Sequence, residues 1–320
     1  MLTSLVAPTH LMRLVFRPTF PSKNMPTTCL TERPKQLQWK PRQLDKTIDT
    51  FSGKLSQGGL VFQQNFLIRS YELDPDGKVS IVSLVNHMQE SSLNHFERLG
   101  LTAEGFGLTS EMSKRNVIWV LYRMQIAVER LPSWADVVQV ETWISATGKR
   151  DWLVRDYKTG ETLIRATSLF FMMNKETRKL SFVKEAWAEI EPHVLNCDPI
   201  INKDKRKLRR LDLDAADYVR VGIAPLWNDL DMNQHVNHVK YISWILEGAP
   251  PSVLESHKIS SMTLEYRKEC GRDSMVQSLS AVNRNGSSHS TEDEGVEVDH
   301  LLQLEDGYEI LRARTLWLPK

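Results

Sequence analysis

An internal repeat constrains this chain more than any other feature. Val85-Asn86-His87-Met88 resembles Val236-Asn237-His238-Val239, and Gly160-Glu161-Thr162-Leu163-Ile164-Arg165-Ala166 resembles Gly307-Tyr308-Glu309-Ile310-Leu311-Arg312-Ala313. The offsets, 151 residues (85 to 236) and 147 residues (160 to 307), are close at both ends of the unit. Self-similarity of that kind reads as two copies of one structural unit, and it has to be placed before any single element is interpreted.

Each copy runs through the same order. A strand comes first, over 61–73 in one copy and 218–225 in the other, and a turn follows. An amphipathic helix is predicted over 80–99, with Ile81, Leu84, Val85 and Met88 at helical spacing. Its counterpart is predicted over 236–247, with Val236, Val239, Ile242, Ile245 and Leu246 on one face. β-rich runs follow at 116–128, 137–145, 152–156 and 163–173, then at 262–268, 275–282, 298–304 and 309–318. Gly160 and Gly307 mark the turn before each last strand. One long helix followed by an antiparallel sheet is an α+β unit whose sheet wraps the helix. Two in tandem read as a double hotdog. The boundaries follow: 1–58 as leader and polar linker, 59–200 as the first unit, 201–217 as a basic linker, and 218–320 as the second unit.

Composition removes several function classes. A net charge of +1 over 320 residues lacks the basic excess of a nucleic-acid binder. No apolar run reaches the length of a transmembrane helix. Cys29, Cys197 and Cys270 are far apart and lack metal-ligand spacing, which fits a reducing compartment without a disulfide framework. Residues 1–31 contain no Asp or Glu, eight Ser or Thr, and Arg13, Arg17 and Lys23. That composition resembles an organelle transit peptide; the plain alternative is a tail with no address.

Two polar clusters stand out, both in the second copy. The first is Trp227-Asn228-Asp229-Leu230-Asp231-Met232-Asn233-Gln234-His235-Val236-Asn237. Helix capping by Asp231 or Asn233 accounts for one residue of it. In an extended segment, alternation would put Asp231, Asn233 and His235 on one side. At the offset of 151 these three map to Ser80, Val82 and Leu84, so the first copy would lack all of them. The site is therefore expected in the second copy, leaving the first to hold substrate. The second cluster is Glu265-Tyr266-Arg267-Lys268-Glu269-Cys270-Gly271-Arg272-Asp273. Cys270 reads either as a small buried filler or, with a His and an Asn, as an acyl-transfer nucleophile. Glu269 could instead activate water directly. Lys203–Arg210 holds six basic residues in eight. It reads as a solvated linker, or as a patch in which Lys205, Arg206 and Lys207 dock an acidic partner. Residues 283–297 read as a hairpin loop rich in Ser and Gly.

The Asp229–Asn237 run, together with Tyr241-Ile242-Ser243-Trp244-Ile245-Leu246-Glu247, Leu264-Glu265-Tyr266-Arg267-Lys268-Glu269-Cys270 and Arg150-Asp151-Trp152-Leu153-Val154-Arg155-Asp156, resembles the plant acyl-acyl-carrier-protein thioesterases. Ile68-Arg69-Ser70-Tyr71-Glu72 and Met172-Met173-Asn174 carry the same resemblance, which extends over about residues 59–282. It implies the double hotdog fold, a plastid location and hydrolysis of long-chain acyl-acyl carrier protein (acyl-ACP) to free fatty acid. It further implies Asp231, Asn233, His235, Glu269 and Cys270 as catalytic residues, and neither metal nor cofactor. Two mechanisms remain open. In one, Cys270 attacks the thioester, with His235 as base and Asn233 orienting it. In the other, Glu269 activates water while His235 and Asn233 position the reactants and Asp231 fixes the geometry. Val85–His95 and Arg155–Thr162 look like the class preferring saturated chains, with palmitoyl as the default, whereas Asp231-Met232-Asn233 leans toward the oleoyl class. Leu84, Met88, Leu93 and Phe96 on the first helix are the expected acyl-chain contacts. The other readings are a hotdog enzyme acting on coenzyme A thioesters, as hydrolase or dehydratase, and a non-catalytic acyl-binding protein. The expected partner is the carrier protein, and a homodimer is compatible with the sequence.

Overall fold

The computed structural model describes residues 53–103, 107–145, 148–201, 206–283 and 295–320. The expected leader (to residue 52), Lys205 and most of the 283–297 loop lie outside these residues. The chain forms β1 (Lys54–Ser56), β2 (Val61–Leu67), α1 (Ile81–Arg98), α2 (Ser110–Lys114), β3 (Val117–Val128), β4 (Val137–Ser145), β5 (Lys149–Asp156) and β6 (Thr162–Asn174). It continues with α3 (Lys184–Ile190), β7 (Val194–Leu195), β8 (Tyr218–Ile223), α4 (His238–Glu247), α5 (Pro251–Ser256), β9 (His257–Tyr266), β10 (Val276–Val282), β11 (Val296–Leu304) and β12 (Glu309–Pro319).

The strands form one sheet in the order β1-β2-β4-β5-β6-β3-β9-β12-β11-β10-β8, with β7 added parallel to β4. The order reads the same from the centre outward in both directions: β3, β6, β5, β4, β2 on one side and β9, β12, β11, β10, β8 on the other. The two copies join where β3 runs antiparallel to β9, Arg123 opposite Glu265 and Ile126 opposite Met262. Each half thus holds one principal helix and its own antiparallel strands, the α+β double hotdog.

α1 begins where the Ser80 hydroxyl accepts the Ser83 amide. It buries Ile81, Leu84, Val85, Met88, Ser91 and His95, the face that its 3.6-residue periodicity marks. α4 begins at His238 because the Asn237 side chain accepts the Val239 amide. The cap is therefore Asn237, not Asp231 or Asn233, and the helix starts two residues after the predicted boundary. α4 ends at Gly248, where any Cβ would collide with the Ser278 hydroxyl. β2 stops at Leu67 rather than Leu73 because Ile68 donates to Asp136 and the chain then turns through Ser70–Glu72. β9 starts at His257 and stops at Tyr266, since Arg267 and Lys268 both donate to the Ile310 carbonyl. One apolar cluster spans both halves, from Val85 and Met88 to Ile242 and Ile245. No helix among the described residues is long and apolar enough to cross a membrane.

Candidate active site

The loop before α4 is a closed turn rather than an extended run. Leu230 bridges Val236 across it. Asp231 donates its amide to the His235 carbonyl at 2.7 Å, and Gln234 sits at φ +63°. One Asp231 carboxylate oxygen accepts the amides of Asn233 (2.8 Å) and His235 (3.3 Å). Asp231, Asn233 and His235 therefore do not share a face by alternation. The carboxylate of Asp231 is turned inward to tie the loop.

The same loop occurs before α1. Leu73 bridges Val79, Asp74 accepts the amides of Asp76 and Lys78, and Ser80 donates to the Glu72 carbonyl as Asn237 does to that of Asp229. This aligns Asp74 with Asp231, Asp76 with Asn233 and Lys78 with His235, a separation of 157 residues (72 to 229) instead of 151. The 151-residue match is overturned: it set His87, inside α1, against His238, at the start of α4. An aspartate that ties the loop in both copies is a scaffold feature. His235 has no imidazole counterpart.

The strand ends align in the same way. Val236 donates to the Cys270 carbonyl at 3.0 Å, as Val79 does to that of Pro132 at 2.9 Å. Glu129 and Arg130 donate to Leu163 as Arg267 and Lys268 do to Ile310. Leu131 and Pro132 therefore stand where the second copy has Glu269 and Cys270, so the first copy has no counterpart of the Glu269–His235 pair at this place; its own carboxylate–imidazole contact, Glu72 with His87 at 2.7 Å, lies elsewhere.

Glu269 and Cys270 leave the chain toward different surroundings. Glu269 Oε1 lies 3.3 Å from His235 Nε2, and Oε2 accepts from the Arg178 guanidinium. Both partners are partly open to solvent. Cys270 is 3% exposed and packs in the core, its sulfur 3.3 Å from the Tyr241 hydroxyl, which also accepts the Cys270 amide. Burial pushes its thiol up from the ordinary value, with the Glu269 charge adding to the shift. Asn233 is exposed, and among the described residues its amide makes no hydrogen bond to His235 or Glu269. No cluster of three or more His, Cys, Asp or Glu able to hold a metal occurs among the described residues.

An apolar cavity runs along α1. Met88, Leu93 and Phe96 line it together with Met124, Trp152 and His238. His238 opens α4 directly after the site loop, and burial pushes its imidazole down to about 4, so it is neutral. Leu84 is wholly buried in the core and does not line the cavity. It shares the face of Met88 but lies one helical turn, about 5.4 Å, nearer the start of α1, before the helix residues that line the cavity. Sequence reasoning missed Arg150, which lines the cavity, reaches His95 Nδ1 at 3.2 Å and stacks 5.0 Å from the Phe96 ring. Desolvation brings its guanidinium down to about 9. It also missed Arg178. The signal for Arg150 was its place beside Asp151-Trp152 in the Arg150–Asp156 motif, while Arg178 sits in a turn with no local signature.

The basic linker lies over the second half. Arg206 pairs with Glu297 at 2.9 Å, Arg210 with Glu309 at 3.0 Å, and the Lys207 and Leu208 carbonyls accept from Arg314 and Arg312. The Lys207 side chain is exposed.

Residues 59–190 match the family model for the acyl-ACP thioesterase N-terminal domain, and residues 212–319 match that for the C-terminal domain. The chain is 54% identical over 290 residues to a chloroplastic palmitoyl-acyl carrier protein thioesterase of Arabidopsis thaliana, covering 89% of this chain and 70% of the relative. It is 49% identical over 303 residues to a chloroplastic dodecanoyl-[acyl-carrier-protein] hydrolase of Umbellularia californica, covering 92% and 77%. Among solved structures, a 12:0-ACP thioesterase from Umbellularia californica superposes with a TM-score of 0.76 at 52% identity, covering 81% of this chain and 94% of that one. An acyl-ACP thioesterase from Bacteroides thetaiotaomicron, 19% identical with a TM-score of 0.65 over 82% and 100% of the two chains, shares the fold.

Proposed function

The chain belongs to the acyl-ACP thioesterase family, and from that premise we propose how its site works: Glu269 activates water to hydrolyse the thioester of a fatty acyl chain carried by acyl carrier protein. Water adds to the thioester carbonyl while Glu269 takes its proton. The carbon–sulfur bond then breaks, and the carrier's thiolate regains a proton through His235. The products are free fatty acid and thiol-bearing carrier protein. The observation that carries this reading is the opposite placement of two chain neighbours. Glu269 meets His235 in solvent reach, whereas the Cys270 thiol is buried against Tyr241 and held protonated. A nucleophilic cysteine needs thiolate character and a base beside it. Asp231 serves by tying the loop that presents His235.

Under this reading the first unit (59–200) shelters the acyl chain, because the cavity lies between α1 and its own strands. The second unit (218–320) carries the chemistry, and 201–217 connects them. The relatives' names and the class motifs favour saturated chains, with palmitoyl first. The named relatives are chloroplastic, and the same plastid address is assigned here. The basic linker, with Lys205 and the exposed Lys207, is the surface assigned to the acidic carrier. The test is a panel of palmitoyl-, dodecanoyl- and oleoyl-ACP beside palmitoyl-coenzyme A, with thiol release measured. The palmitoyl carrier substrate is expected to give the highest kcat/KM. Equal turnover of the coenzyme A ester would move the assignment to the general hotdog thioesterases.

A further inference from the structure

Arg178 belongs to the first copy, yet its guanidinium binds the carboxylate of Glu269 in the second. It is carried by the turn after β6. There Asn174 accepts the amides of Glu176 (3.1 Å) and Thr177 (2.8 Å) through its side chain and that of Arg178 (3.0 Å) through its carbonyl, while Asn174 itself donates to Lys179 at 2.9 Å. The turn closes with Arg178 at φ +56°. That is the left-handed region, where glycine or asparagine costs less than arginine. A strained backbone under a long charged side chain points to a use for that side chain.

Stability does not supply the use. The side chains of Arg178 and Glu269 are 32% and 38% exposed, and pairs that open to water contribute little to folding. Geometry supplies one. Glu269 has two oxygens; Arg178 takes Oε2 and leaves Oε1 turned to His235 at 3.3 Å. An unpartnered carboxylate on a strand end would rotate freely about its last torsions. With one oxygen anchored, the other is fixed in the direction of the imidazole. We propose that Arg178 is a positioning residue for the hydrolysis, anchoring Glu269 from the other half of the molecule so that its other oxygen is held beside His235, in place to take a proton from the attacking water. This rests on the reading of Glu269 as the general base.

The titratable groups in contact with the Glu269 carboxylate are Arg178 from the β6–α3 turn and His235 from the loop; its chain neighbours are Lys268 and the buried Cys270. Lys268 stands 4.1 Å over the Tyr308 ring, and Arg267 is engaged by Glu265 and Glu309. Removing Arg178 therefore removes the cation in direct contact with the carboxylate.

The experiment compares Arg178→Gln, Arg178→Lys and Glu269→Gln in the full chain, with palmitoyl-ACP as substrate and folding checked by thermal melting. Arg178→Gln is expected to lower kcat at least about tenfold with KM little changed, since orientation of a reacting group is lost rather than binding. Arg178→Lys should restore part of kcat. Wild-type kcat in Arg178→Gln overturns the proposal, as does a rise in KM alone. Glu269→Gln separates the two levels. If it abolishes turnover while Arg178→Gln is unaffected, only the positioning role falls; if Glu269→Gln stays active, the general-base reading falls and takes this role with it.

Discussion

Glu269 lies 3.3 Å from the His235 imidazole, although 33 intervening residues and the whole of α4 separate them in the chain. The contact exists because Val236 donates to the Cys270 carbonyl, which pins the site loop to the end of β9 one residue from each partner. That single backbone bond has a twin in the first copy, from Val79 to Pro132, where the neighbouring positions are held by Lys78 and Leu131. A shared scaffold thus presents this glutamate–histidine pair in one copy only.

The two mechanisms separate on adjacent alanines. Glu269→Ala is expected to reduce kcat by about 10²–10⁴-fold, the range general-base catalysis supplies. Cys270→Ala should keep most of the turnover and melt at a lower temperature, because it empties a packed position against Tyr241. Single-turnover mixtures examined by mass spectrometry should show no acyl group on Cys270. A trapped acyl-Cys270 would falsify the water mechanism.

Product length should follow the cavity wall. Shortening Phe96 or Leu93 lengthens the space for the chain end, and each added methylene buried is worth about 0.8 kcal/mol, so two carbons correspond to roughly a tenfold change in selectivity. Leu84→Ala is the control. It lies in the core and off the wall, so it should cost about 2–5 kcal/mol of stability with product length unchanged. Gas chromatography of released fatty acids, beside thermal melts, reads both.

The paired loops give a test of Asp231. Asp74→Ala and Asp231→Ala remove the same two amide contacts, one in each copy. Both should lower stability by about 0.5–2 kcal/mol, as losing a side-chain cap does. Only Asp231→Ala should lower kcat, because only its loop carries His235. Equal kinetic effects from both would remove the site-specific role.

Acid should destabilise the fold through its buried imidazoles. Burial holds His95 and His300 down to about 3 and His238 down to about 4. Between those values and the unfolded value near 6.5, the unfolded chain binds more protons than the folded one. Stability is then complete above about pH 6.5 and falls as pH drops, by up to ~1.4 kcal/mol per pH unit for each such group. Urea unfolding from pH 7 to pH 4 should show this slope. His300→Gln, which keeps a partner for Thr315, should flatten it.

Carrier docking should respond to charge and salt. Replacing Lys205, Arg206 and Lys207 by Glu is expected to raise KM more than it lowers kcat. The effect should shrink in high salt, since exposed charges are screened over about 8–10 Å at ordinary ionic strength. Unchanged KM at low salt would leave the run as a plain linker, with Arg206 meeting Glu297.

The kind and order of the parts were determined by the sequence alone. Periodicity placed α1 almost to the residue, since Ser80 caps it and Ile81, Leu84, Val85 and Met88 face inward at 3.6-residue spacing. It placed β4 at 137–145, and the repeat gave two units of one design. It also brought forward His235 and Glu269, because their types and neighbours carry the family's motifs. Tertiary structure alone decided how the copies align. A short match between 85 and 236 rests on residue identity, whereas the true register is set by backbone bonds such as Val79 to Pro132 and Val236 to Cys270, which join segments far apart in the chain. It alone turned Cys270 into the core beside Tyr241 and left Glu269 within reach of solvent, because β9 has ended at Tyr266 and strand alternation no longer governs the residues beyond it. It alone parted Leu84 from Met88, and it alone delivered Arg178 across the two halves through a left-handed turn. Local pattern records which face of an element is apolar; which distant element meets that face is decided by packing, where no local signal exists.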